Sequence, residues 1–165
     1  MGLKSGTVRV AVVQAASVIM DKEGTLRKIE QLTEQAAGEG AKIVLFPEAF
    51  IPCYPRGLSF GSIVGSRTQA GRKDWARYYR NSIDVPGAET GYLGALAAAH
   101  EIYLSIGVIE REGGTLYCSL LYFGPDGSLL AKHRKLKPTG SERLIWGRGT
   151  AAPSPPWRPL GVMGG

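Results

Sequence analysis

Long apolar runs are missing from this chain of 165 residues. No stretch approaches the roughly 20 residues that a membrane-spanning helix needs, so an integral helical membrane protein is excluded and no membrane partner is expected. Cysteine is scarce, with only Cys53 and Cys118. Two are too few for a disulfide framework and lack metal-ligand spacing, so no metal site is expected. The N-terminus lacks the charged region, apolar stretch and small-residue cleavage site of a secretory signal, and the expected location is cytoplasmic. There is no phosphate-binding loop, since the glycines around 61–65 lack a lysine and a strand-to-helix context. There is no Gly-x-Ser-x-Gly elbow either. No cofactor is expected.

What is present describes a globular chain. Hydrophobic residues make up 44% and charged residues 21%, a balance that excludes wholesale disorder. The net charge of +6 raises the question of nucleic acid. The basic residues fall into two separate stretches, Arg67 to Arg80 and Lys132 to Lys137, with acidic residues between them. That is the pattern of an ordinary solvated surface, and no nucleic-acid partner is expected.

Residues 7–14 are apolar and β-branched, without helical period, and read as a buried strand. Residues 21–38 carry Ile29, Leu32, Thr33 and Ala36 at helical spacing, with Asp21 as N-cap and Gly38 or Gly40 as stop. A short apolar strand at 42–46 ends at Pro47, so the chain opens strand–helix–strand with a crossover long enough for parallel pairing. Residues 51–66 read as loop, and 68–80 and 89–100 as helices. Three further strands follow at 103–109, 115–123 and 128–135. Gly113-Gly114 and Asp126-Gly127 separate them and predict a β-meander. From 150 onward four of the ten prolines crowd together, which excludes a helix or a central strand.

Glu48 follows the second strand directly. Ligands gather at the carboxyl ends of parallel strands, so Glu48 is a candidate base; the alternative is a surface carboxylate at a turn. Lys135 closes the last strand and is a candidate for stabilising an anionic intermediate, or else part of a solvated basic edge. Glu142, seven residues on, can pair with one of these bases. Cys53 reads as an unreactive packed thiol rather than a nucleophile, and Cys118 as a core residue of its strand. His100 suits a helix end, and His133 sits on a strand where it can orient neighbours.

Together these segments are recognisable. Residues 40–55, with Leu45-Phe46-Pro47-Glu48 at their centre, resemble the first signature of the nitrilase branch of the carbon–nitrogen hydrolase superfamily. His133-Arg134-Lys135-Leu136-Lys137-Pro138-Thr139 resembles its lysine-bearing segment, and the strand at 10–16 and residues 142–147 also fit. Cys53 stands where the signature usually has glycine. The resemblance covers residues 8–149.

It implies an α/β fold, the four-layer α-β-β-α sandwich, of which this chain supplies roughly the first half. It implies a Glu-Lys-Cys triad with Glu48 as base, Lys135 as stabiliser of the intermediate and Glu142 as the supporting glutamate. Residues 1–149 are expected to be the N-terminal part of the domain, and 150–165 an aberrant Pro-rich tail. Residues 159–165 look like the lead-in to the family's nucleophile, so the chain is expected to be a fragment that stops before that cysteine. The implied reaction converts a small-molecule nitrile and water to a carboxylic acid and ammonia. Family members associate into homo-oligomers. The alternative is a non-catalytic truncated subunit that joins full-length ones.

Overall fold

The computed structural model describes residues 7–63 and 68–150. The Pro-rich segment from 151 onward, the expected lead-in at 159–165 included, lies outside the described residues. Five strands form one sheet in chain order: β1 (Val10–Val12), β2 (Ile43–Leu45), β3 (Tyr103–Glu112), β4 (Thr115–Phe123) and β5 (Leu129–Arg134). The first three are parallel and the last three form an antiparallel meander. Three α-helices accompany them, α1 (Lys22–Gly38), α2 (Gln69–Asn81) and α3 (Ala88–Ala99), and a short 3-10 helix spans Gly140–Leu144.

Local chemistry accounts for the boundaries. The Asp21 side chain accepts from the Gly24 amide and caps α1, and the Thr68 hydroxyl accepts from Gly71 and caps α2. Leu26 and Ile29 of α1 and Leu93, Leu96 and Ala97 of α3 pack on one face of the sheet. Strand alternation supplies the matching residues: Val44, Leu104, Ile106, Val108, Leu121 and Phe123 all point to that helix face.

One sequence expectation is corrected here. The first strand is shorter than 7–14 and is not buried: Val10 is 51% and Val12 is 71% exposed. The reason is topological. β1 is an edge strand, so Ala11 meets the helix-side core while Val10 and Val12 look out from the other face beside Leu45.

Among the described residues, that second face is covered only at one end. There Ala49, Cys53, Phe60, Tyr78 of α2 and Trp146 pack over Ile109, Leu116 and Cys118 as a second core. Beyond it a groove of about 930 Å³ stays open, floored by Val12, Leu45, Gly107 and Leu120. Among the described residues, α1 and α3 form a layer on one sheet face, α2 packs over one end of the other, and the rest of that second face is bare.

Candidate active site

The site lies where the covered and bare parts of that face meet. β2 ends at Leu45, but the chain keeps following β3: Phe46 donates to Ser105 O, and Phe50 donates to Gly107 O. Between them residues 47–49 bulge out over Gly107. A Cβ on Gly107 would lie 2.5 Å from Pro47 O and 2.6 Å from Glu48 Cα, so only glycine lets the backbone pass this close. Ala49, with φ of 50°, makes the sharp turn back. Glu48 stands on top of this bulge, with half of its side chain exposed.

Lys135 arrives from the other direction. Its amide donates to Cys118 O and continues the β4–β5 pairing one residue beyond the strand. Alternation then divides the basic run. Lys132 and Arg134 point to the helix face and clamp Glu110, which is 1% exposed, at 2.5 Å and 2.6 Å, while Ser119 Oγ donates to the same carboxylate. His133 and Lys135 belong to the opposite face, beside Cys118. Burial disfavours the Glu110 charge, but the Arg134, Lys132 and Ser119 donors outweigh it and hold the carboxyl below its usual range.

Glu142 is delivered by the 3-10 helix. Thr139-Gly140-Ser141-Glu142 is a capping-box spacing, and the Thr139 amide donates to Glu142 Oε2 at 2.5 Å. The Lys135 ammonium then lies 2.9 Å from Glu48 Oε1 and 3.0 Å from Glu142 Oε2. The three expected residues thus meet around one ammonium. Burial opposes the Lys135 charge, but hydrogen bonds to Glu48 and Glu142 overcome this and raise it above the ordinary lysine value. Glu142 is held below its usual range: burial acts against ionisation, and the Thr139 amide, Lys135 and Tyr54 outweigh it.

Two neighbours escaped the sequence reading. Tyr54 donates its phenol proton to Glu142 Oε1 at 2.8 Å across 88 positions of sequence. Cys118 is buried as expected, yet its thiol also faces Glu48 Oε1 at 3.5 Å. The signal for Cys118 was the β4–β5 register, which sets it opposite Lys135. Nothing local marks Tyr54. Burial, then the Glu48 charge, push the Cys118 thiol up to about 12. Burial also raises Cys53, which lies in the second core away from the carboxylates. Neither thiol is poised as a nucleophile. His133 lines the groove, whereas His100 caps the end of α3.

The ends of two strands and the short 3-10 helix thus bring two carboxylates and a lysine together on an α/β sheet, and comparison with known proteins gives the family. The carbon–nitrogen hydrolase family model matches residues 9–163. A bifunctional nitrilase/nitrile hydratase of Lupinus angustifolius is 51% identical over 159 residues, which cover 96% of this chain and 46% of that protein. An aliphatic nitrilase of Sinorhizobium fredii is 50% identical, over 94% of this chain and 51% of its own length. Among solved structures, an amidase from Nesterenkonia sp. superposes with a TM-score of 0.63 at 20% identity, covering 90% of this chain and 51% of that one. The chain belongs to the carbon–nitrogen hydrolase family, on its nitrilase branch. It spans about half the length of the curated relatives it matches.

Proposed function

We propose that this chain contributes the base, the lysine and the supporting carboxylate of a nitrile-hydrolysing site, and that the nucleophilic thiol comes from the part of the family domain the chain does not span. The observation that carries this reading is the single ammonium of Lys135 held between Glu48 and Glu142 at 2.9 and 3.0 Å. Glu48 takes the thiol proton, the thiolate attacks the nitrile carbon, and Glu48 returns the proton to the nitrile nitrogen to give a neutral thioimidate. Glu48 next activates water, which adds to that carbon. Lys135 steadies the tetrahedral intermediate while ammonia leaves. A second water cleaves the resulting thioester to the carboxylic acid and frees the thiol. Water is the only co-reactant. The cavity of about 720 Å³ between Tyr54–Ser62 and Ser141–Ile145 borders Glu142 and takes the rest of the substrate. The longer form assembles as a homo-oligomer in the cytoplasm.

On this reading the chain by itself releases no ammonia from nitriles, because Cys53 and Cys118 are its only thiols and both are buried and raised. The test compares ammonia release by this chain and by a version extended to the length of its relatives, on aliphatic and aromatic nitriles. Activity in the extended protein alone is expected. Steady release by the short chain would move the nucleophile to Cys118, and no release by either would end the nitrile reading.

A further inference from the structure

Two carboxylates share one ammonium, and the chemistry above needs them to behave differently. One must take and release protons. The other must stay charged to hold the lysine in place. Their donors differ accordingly. Glu142 receives the Thr139 amide, the Lys135 ammonium and the Tyr54 phenol. Glu48 receives Lys135 and the weak Cys118 thiol, both on Oε1. Its Oε2 has no hydrogen bond among the described residues.

Of the three donors Tyr54 comes from farthest along the chain, 88 positions from Glu142, and it is held firmly. The buried Tyr78 phenol donates to the Cys53 carbonyl at 3.1 Å and fixes the peptide that precedes Tyr54. The Tyr54 ring meets Trp146 edge-on at 5.8 Å, and its outer side lines the 720 Å³ cavity. An exposed tyrosine packed on a tryptophan needs no further role. This one also spends its proton on the innermost carboxylate of the site.

We propose that Tyr54 is a positioning residue acting through Glu142: its phenol fixes Glu142 as the permanently ionised carboxylate and so leaves Glu48 as the proton acceptor. This rests on the nitrile-hydrolysing reading of the same site. The reciprocal mark is on Tyr54 itself, whose phenol is pushed above its ordinary value first by the hydrogen bond to Glu142 and then by burial.

Tyr54→Phe keeps the ring and removes the proton. In the extended protein kcat is expected to fall about tenfold, the cost of one hydrogen bond to a charged group, with KM little changed. The loss must be larger at about pH 5 than at about pH 8, because Glu142 without its donor protonates at higher pH. An equal loss at both pH values would mean a packing role and overturn the proposal. Carboxyl carbon NMR of Glu142 in the present chain decides the matter independently of turnover. Its titration midpoint is expected to rise in Tyr54→Phe, and an unmoved midpoint would refute the role even if the enzyme is active. If the extended wild type does not hydrolyse nitriles, the nitrile reading fails while the NMR result still stands. Should Tyr54→Phe not fold, the ring carbon titration of Tyr54 in Glu142→Gln replaces it. A fall relative to wild type supports the contact, and no change rejects it.

Discussion

Replacing Lys135 by alanine would leave Glu48 and Glu142 facing each other without the cation that joins them. In the extended protein, Lys135→Ala and Glu48→Gln are each expected to lower kcat by about 100-fold or more, while far-UV circular dichroism stays native. Retention of a tenth of the wild-type rate in either would exclude the assigned role. Cys118→Ala is the matched control. Its thiol touches Glu48 only through a weak 3.5 Å hydrogen bond, and the variant should keep most of the activity. Glu110 belongs to structure instead. Glu110→Gln removes a buried charge from beneath Lys132 and Arg134 and is expected to cost about 3 kcal/mol in urea unfolding. Its folded carboxyl is depressed relative to the unfolded one, so the stability it supplies is complete above the ordinary carboxylate range. That stability drains away as pH falls through the folded value. The wild type should therefore lose more stability on acidification than Glu110→Gln does. Parallel losses would show that the pair contributes nothing.

Among the elements, the meander was the most legible in the sequence, because Gly113-Gly114 and Asp126-Gly127 announce its turns and β4 spans the same residues as expected. The helices at 21–38, 68–80 and 89–100 start and stop within a residue of their expected limits, since caps and apolar spacing are local signals. β1 misled because a β-branched run looks alike whether it is central or at an edge; edge position is a property of the whole sheet. The short 3-10 helix went unread, although its Thr-x-x-Glu spacing was visible in Thr139 and Glu142. Glu48, Lys135 and Glu142 stood out through the family resemblance, whereas the Tyr54 and Cys118 contacts come from tertiary register that no local pattern encodes. Gly107 shows the same limit. In the sequence it is one glycine in a strand, yet in the fold it is the floor beneath Glu48. Gly107→Ala drives a methyl group into the 47–49 backbone at 2.5–2.6 Å. A Tm lowered by about 10 °C or more is expected, as for a core overpacking of several kcal/mol in a domain this size. A Tm within about 2 °C of wild type would show that the bulge shifts freely.

At the scale of the molecule, α1 and α3 cover one sheet face, and on the other, beyond α2, the described residues leave Val10, Val12 and Leu45 exposed around the 930 Å³ groove. A bare apolar sheet face of this kind drives association. The net charge of +6 opposes it by repulsion, and salt screens repulsion without weakening apolar contact. The isolated chain is therefore expected to self-associate more strongly in roughly 0.5 M salt than in 0.05 M, as read by light scattering behind a sizing column. Val12→Lys, on the edge strand, should reduce that association. A monomer at all salt concentrations, with no binding of a hydrophobic dye, would contradict this view of the face.

The lysine between the two glutamates also sets an order of events in folding. Its contact with Glu142 spans seven residues, whereas its contact with Glu48 closes a loop of 87. The short contact needs little chain entropy and can flicker into place in an otherwise unstructured C-terminal segment, but the long one must wait until β3, β4 and β5 have stacked in register. The pairing of Glu48 with Lys135 is accordingly expected to form late, after the folding transition state. Substitutions there should speed unfolding and leave the refolding rate nearly untouched. A nascent chain thus carries no assembled site until its sheet is complete.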